Sequence, residues 1–231
     1  MEGQTRQTGS LADFAQSRLT RLILDRELPA GTTIVEEKLA FALDISRTPL
    51  REALVRLEAE GLVVKAGGRS YQVRLVTAPE FFQSMRVREV LEREVVEMAV
   101  PNIPPETIDR LRARIAALVP GQGDSHLYWE ADNALHSLFP PHCENLVMAG
   151  VVRDMRITAR LFEASNPFGR AEADQREHLA VLDAAGAGDA RGAGRAMARH
   201  IRNLQQDVMK SLRGGSGARA TRLAAAVPPS A

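Results

Sequence analysis

Residues 46–61 read SRTPLREALVRLEAEG, and the placement of charge along this stretch decides what the chain can be. Ser46 stands where a helix N-cap is expected, and Arg47, Thr48 and Pro49 fill the first turn. Proline is tolerated there because first-turn amides have no intrahelical acceptor, and Gly61 closes the helix. Leu50, Ala53, Leu54 and Leu57 recur at helical spacing and form an inward stripe. Arg47, Thr48, Arg51 and Val55 fall on the opposite side. Two guanidiniums and a hydroxyl on the outer N-terminal half of a short helix suit the base edges and phosphates of a major groove. A surface helix with solvated arginines has the same pattern, so the neighbouring elements must decide between the two.

Upstream, Leu11, Ala15, Leu19, Leu22 and Ile23 predict a first helix from Ser10 to Leu28, broken by Pro29-Ala30-Gly31. A short helix from about Val35 to Leu43 follows, and only Asp44 and Ile45 separate it from Ser46. Helices joined so tightly form a helix-turn-helix. Downstream, LVVKA (62–66) and SYQVR (70–74) are β-prone runs joined around Gly67-Gly68, which predicts a hairpin, or wing. Lys65 and Arg69 flank its tip, within reach of backbone phosphate.

The chain has 231 residues, 45% of them hydrophobic, enough for two domains with real cores. Its net charge of +1 does not announce a nucleic-acid partner in bulk, so the signal is local. Between Ser46 and Arg74 the cations Arg47, Arg51, Arg56, Lys65, Arg69 and Arg74 outnumber the anions Glu52, Glu58 and Glu60. One cysteine, Cys143, excludes an internal disulfide and a cysteine-rich metal site. No apolar run has membrane-spanning length, and MEGQTRQTGS lacks a hydrophobic secretion core, so a cytoplasmic protein is expected.

Residues 1–9 are expected to be disordered, residues 10–75 to form the winged helix-turn-helix, and residues 76–79 to be a linker. Thr77 and Glu80 have capping-box spacing at the start of the next helix. Residues 80–213 read as an all-helical antiparallel bundle, making the fold mainly α. Its helices are a long one to Val100, one opened by Pro104-Pro105, then Ser125–Phe139, Asn145–Phe162, Arg170–Ala185 and Asp189–Leu212, with a reset at Gly121-Gln122-Gly123. Residues 214–231 have little to bury and are expected to be a disordered tail.

Asp132 and His136 stand four apart on one helix face, while His178 and His200 lie inside two later helices. Three imidazoles and a carboxylate from one bundle can converge on a divalent cation and leave positions open for another ligand. Isolated helical histidines are more often surface or satisfied core residues. His126 and His142 read as loop or surface residues, and His142 beside Cys143 is too weak a pair to be catalytic.

The segment from Leu28 to Val63 closely resembles the GntR family of bacterial transcription regulators. It shares a proline-glycine turn, an acidic residue before the second helix, and Ser-Arg-Thr-Pro-hydrophobic-Arg-Glu-Ala-Leu, and the likeness extends over residues 11–75. The resemblance implies that Arg47, Thr48 and Arg51, with Pro49 beside them, meet a double-stranded DNA operator and that Gly68 lets the wing approach the minor groove, where Lys65 and Arg69 are placed to reach phosphate. Glu37 departs from it, occupying a place where some members have a further DNA-contacting arginine. ADNALH (131–136), REHLAVLDAAGAGDA (176–190) and RAMARHI (195–201) are similar to the metal-binding form of the FCD effector domain of the FadR subfamily. That likeness spans about residues 79–212 and implies Asp132, His136, His178 and His200 as metal ligands. Imidazole and carboxylate together suit zinc, nickel or manganese, with zinc expected first by affinity over manganese, and the resemblance implies Arg88 of an Arg-x-x-Leu-Glu pattern facing a small organic-acid effector. Leu135, in place of the usual aromatic, Pro140-Pro141, and the helix-weakening Gly192 and Gly194 depart from the family and bear on pocket shape and rigidity.

A homodimeric, ligand-responsive repressor binding an inverted repeat is therefore expected, since one recognition helix covers only a half-site. Two other readings use the same residues. One is a metal-dependent hydrolase, in which the open position activates water. The other is a regulator whose metal is purely structural.

Overall fold

The computed structural model describes the backbone of residues 10–225 other than 69, 120–124 and 166–168, with side chains in that span except at 125, 126 and 214–225. The chain divides into two compact units, Met1–Ser84 with Arg153–Pro167, and Met85–Val152 with Phe168–Ala231.

In the first unit, α1 (Leu11–Leu24) starts from a reciprocal cap that sequence periodicity does not reveal. The Ser10 hydroxyl accepts from the Asp13 amide at 3.2 Å, and the Asp13 carboxylate accepts from the Ser10 amide at 2.8 Å. The helix ends four residues before the expected Leu28. α2 (Glu36–Ala42) and α3 (Arg47–Ala59) are the helix-turn-helix. In the turn, the Ile45 amide bonds the Ala40 carbonyl at 3.1 Å and Asp44 adopts a φ of 52°. That left-handed cap is one that glycine would occupy without strain. Ser46 occupies the N-cap of α3 but makes no side-chain capping bond. At the far end Gly61, at φ 77°, lets the Leu62 amide reach the Leu57 carbonyl at 2.9 Å, with both leucines buried. α1 packs on α3, so that Ala15, Leu19, Leu22 and Ile23 meet the expected stripe of Leu50, Ala53, Leu54 and Leu57.

The wing strands β2 (Val63–Lys65) and β3 (Tyr71–Val73) pair antiparallel, with Val63 opposite Val73 and Lys65 opposite Tyr71. Taking the first strand in the chain as β1 (Thr33–Ile34), the sheet has the order β1-β3-β2. β1 is a finding of the structure, being only two residues long and too short to carry a period. Gly67 and Gly68 have φ of 90° and 57°, the left-handed backbone expected at the hairpin tip. Arg69 lies outside the described residues.

α4 (Ala78–Ala99) begins as the capping spacing suggests, with the Glu80 amide bonded to the Thr77 hydroxyl at 3.4 Å. The two compact units divide between Ser84 and Met85, inside this helix. Phe81 is fully buried and stacks on Phe162 with ring centroids 4.4 Å apart, which draws its end of α4 together with part of α7 (Leu146–Ser165) in the first unit. Arg74 ties the same unit internally, donating to the Gly61 carbonyl at 3.3 Å, the Thr158 hydroxyl at 3.2 Å and the Glu80 carboxylate, and so is a packing cation.

The second unit holds the rest of α4, a 3-10 turn at Val100–Asn102, α5 (Pro105–Ala116), α6 (Ser125–Leu138), a 3-10 turn at Pro140–His142, the start of α7, α8 (Ala171–Gly186) and α9 (Ala190–Ala225). α8 packs on α5, α6 and α9 around Ile108, Ile115, Leu135, Val181, Leu182, Met197 and Ile201. Gln175 caps the end of α5 by donating to the Ile115 and Leu118 carbonyls at 2.9 and 2.7 Å. Gly194, a weak point by helix propensity, is needed for packing. A Cβ there would stand 2.5 Å from Glu97 Cγ and 2.9 Å from the Arg93 carbonyl, so the glycine lets α9 approach α4.

α9 corrects the expected tail. Its helical backbone continues past Leu212 to Ala225, because the alanines and arginines after Gly217 are strong helix formers even though Gly214, Gly215 and Gly217 are not. Residues 1–9, the reset at 121–123 and residues 226–231 lie outside the description. Among the described residues, no helix is long and apolar enough to cross a membrane.

Candidate metal centre and nucleic-acid interface

The exposed half of α3 carries Arg47, Thr48 and Arg51 outward, with Pro49 partly covered in the first turn. Neither arginine is loose. Glu36, the first residue of α2, accepts from Arg51 Nε at 2.7 Å and from Arg47 Nη2 at 3.3 Å, both on Oε2. Burial alone would raise the Glu36 carboxyl, but the hydrogen bonds from Arg51 and Arg47 outweigh it and hold the group below the usual carboxylate range. On the wing, the Lys65 ammonium lies 3.4 Å from Glu58 of α3. Gly68 has open space where a Cβ would stand. Arg47, Arg51 and Lys65 are thus exposed cations, each with a glutamate partner in the DNA-free chain. None of these pairings is visible in helical periodicity, since the partners lie on different elements.

The second cluster is buried. Asp132 and His136 come from α6, His178 from α8 and His200 from α9, and one ligand atom from each lies within 4.8 Å of all the others. His136 Nε2 is 3.4 Å from His200 Nε2, while Asp132 Oδ1 is 3.5 Å from both His136 Nε2 and His178 Nε2. Bonds of about 2.0–2.1 Å to a zinc-like cation put adjacent ligand atoms roughly 2.9–3.4 Å apart, for angles between octahedral and tetrahedral. The three spacings of 3.4, 3.5 and 3.5 Å lie at or just above the top of that range, and all four atoms lie within 4.8 Å, so small side-chain adjustments bring them onto one ion. His178 Nε2 is buried and makes no hydrogen bond, an orphan of the kind that a cation satisfies. Burial pushes the His178 imidazole well below its ordinary value, which keeps its lone pair available for a metal. The four residues fit a divalent cation.

Behind these ligands stands an outer layer that includes Glu92 of the Arg-x-x-Leu-Glu pattern, whose i,i+4 pairing with Arg88 is buried. The Glu92 carboxylate bonds His136 Nδ1 through Oε2 and accepts from Arg88 Nε at 2.7 Å through Oε1. On the other side, Glu177 accepts from His200 Nδ1 at 2.8 Å, from Asn203 at 2.7 Å and from Arg170. Each glutamate engages the Nδ1 of its histidine and so leaves Nε2 to the cluster. Arg88, expected to face an effector, has a side chain only 4% exposed and is committed in part to Glu92. His142 bonds the Leu138 carbonyl through Nδ1 at 2.9 Å, outside both clusters, and Cys143 is buried. The side chain of His126 is outside the described residues.

With this geometry in view, comparison with known proteins gives a consistent result. Residues 11–73 match the family described as bacterial regulatory proteins, gntR family, and residues 83–203 match the FCD domain. The uncharacterized HTH-type transcriptional regulator YcbG of Bacillus subtilis is 26% identical over 216 residues, covering 88% of this chain and 92% of that protein. LutR, an HTH-type transcriptional regulator of the same organism, is 25% identical over 215 residues, covering 81% and 96%. The solved structure of Escherichia coli McbR/YncC superposes with a TM-score of 0.73 at 21% identity, covering 89% of this chain and 100% of that one, a likeness of fold. These relatives are regulators and not enzymes, which removes the hydrolase reading of the buried cluster.

Proposed function

We propose, since the chain belongs to the gntR family of bacterial regulatory proteins and carries an FCD domain, that this DNA-binding transcription regulator is a repressor of the FadR type whose operator affinity responds to a small organic acid. In this reading Arg47, Thr48, Pro49 and Arg51 meet base edges and phosphates of one half-site, while Lys65, Gly68 and Arg69 of the wing meet the backbone. A homodimer then covers an inverted repeat. Asp132, His136, His178 and His200 hold one divalent cation, with zinc favoured over nickel and manganese by ligand type and availability. A bound cation would supply Lewis-acid coordination for a carboxylate, with Arg88 contributing positive charge beside it. The observation that carries the metal part is the convergence of four ligand atoms within 4.8 Å around the orphaned His178 Nε2.

Acid and operator must then influence each other equally, because binding coupling is reciprocal. The test is operator affinity of the metal-loaded and chelated chain across a panel of small organic acids. An acid that weakens operator binding only in the loaded chain is the expected result. Metal uptake with no acid-dependent change in operator affinity or thermal stability would leave a structural ion and no sensor.

A further inference from the structure

We propose that Glu36 is a specificity-determining positioning residue of the DNA-reading face, holding Arg47 and Arg51 as fixed forks and keeping them from acting as loose phosphate-binding cations. The inference rests on the reading of α3 as the operator-reading helix. Its observations are separate from that reading. The Glu36 side chain is 12% exposed, whereas Arg47 and Arg51 are 57% and 48% exposed, so the carboxylate is the sheltered member of the group. Its place in the first turn of α2 favours a negative charge, since amide dipoles there point their positive ends outward.

The atoms used in the two bonds are informative. Arg51 spends Nε on Glu36, which leaves its two Nη groups, a planar pair of donors, outside that bond. Such a pair matches the O6 and N7 acceptors of guanine. Arg47 spends Nη2, which leaves its Nε and Nη1 outside that bond. One oxygen therefore orients two guanidiniums, and preorganised donors lose less freedom on meeting their partner than mobile ones. The same carboxylate lowers the charge of the trio from +2 to +1, which weakens sequence-independent attraction to phosphate. Positioning favours the right sequence, and partial neutralisation disfavours every sequence.

This makes an unusual signature. Losing a glutamate that merely supports the fold would weaken all DNA binding, whereas losing Glu36 should strengthen binding to unrelated DNA while eroding discrimination. Glu27 provides a control. It is exposed in the same unit, makes neither of these two bonds, and undergoes the same charge change on conversion to glutamine.

The experiment uses the full chain as parent, Glu36→Gln, Glu27→Gln and Glu36→Asp. Each is titrated at matched salt against the duplex that the parent enriches from a randomised pool, and against a scrambled duplex of equal composition. Glu36→Gln should bind the scrambled duplex more tightly than the parent does, and its ratio of specific to scrambled affinity should fall roughly fivefold, the value of one good bidentate contact at its lower end. Glu27→Gln should shift both duplexes together and keep the ratio. Glu36→Asp, with the charge but a shorter reach, should lose discrimination without gaining scrambled-duplex affinity. An unchanged ratio in Glu36→Gln, or an equal weakening on both duplexes with a lowered Tm, overturns the proposal. A parent that enriches no sequence would instead overturn the reading of α3 itself.

Discussion

The two candidate sites use one device in opposite surroundings. On α3 a glutamate holds two arginines at the protein surface, and in the bundle Glu92 and Glu177 each hold a histidine inside it. Solvent screens the first arrangement, so its ion pairs contribute about 0–1 kcal/mol each to stability, and its value lies in orientation. Around His136 the outer layer is dry, with Arg88 and Glu92 side chains 4% and 3% exposed. Removing one member there leaves the other charged and buried, which costs several kcal/mol. The same residue type orients exposed arginines in one place and buttresses buried histidines in the other.

The largest effect that would break this contrast is at Glu92. Glu92→Ala is expected to destabilise the chain by about 3–5 kcal/mol, since Arg88 and His136 both lose a buried carboxylate, and to weaken metal binding by about 10–100-fold. Thermal unfolding and metal titration check both. A loss below about 1 kcal/mol would mean that the pair is solvated after all. Next comes Arg51→Ala, expected to cost about 1–3 kcal/mol in operator binding at matched salt with the Tm nearly unchanged. Operator affinity equal to the parent's would remove Arg51 from the reading face. Smaller still is Asp44→Val in the turn of the helix-turn-helix, where a β-branched residue must take a φ of 52°. It should destabilise by about 1–2 kcal/mol, while Asp44→Gly should be neutral or stabilising, as denaturant unfolding would reveal. The smallest change is expected for Lys65→Ala, which should flatten the salt dependence of binding by about one phosphate contact and leave sequence preference untouched.

Legibility in the sequence divides along physical lines. Elements whose evidence repeats along the chain were readable, such as the stripe Leu50, Ala53, Leu54 and Leu57 that packs under α1. The four proposed metal ligands came from resemblance, since Asp132 and His136 share a turn but His178 and His200 are far off in sequence. Single pairings across elements left no periodic trace. Glu36 meets arginines 11 and 15 residues away, and Glu92 meets a histidine 44 residues away. Gly194 looked like a helix defect because only the neighbouring Glu97 and Arg93 give it a purpose. At the C-terminus, the glycines of residues 214–217 outweighed the alanine-rich run behind them, and the helix to Ala225 was missed.

Metal content is the most direct test of the central claim that Asp132, His136, His178 and His200 form one cation site. Purified parent chain and His178→Ala, prepared identically and dialysed together, should be compared by elemental analysis, with thermal unfolding before and after chelation. The account expects about one equivalent of a divalent ion in the parent, most of it lost in the variant, and a Tm that falls on chelation in the parent only. Equal metal content in the two proteins, or a parent Tm unmoved by chelation, would contradict it.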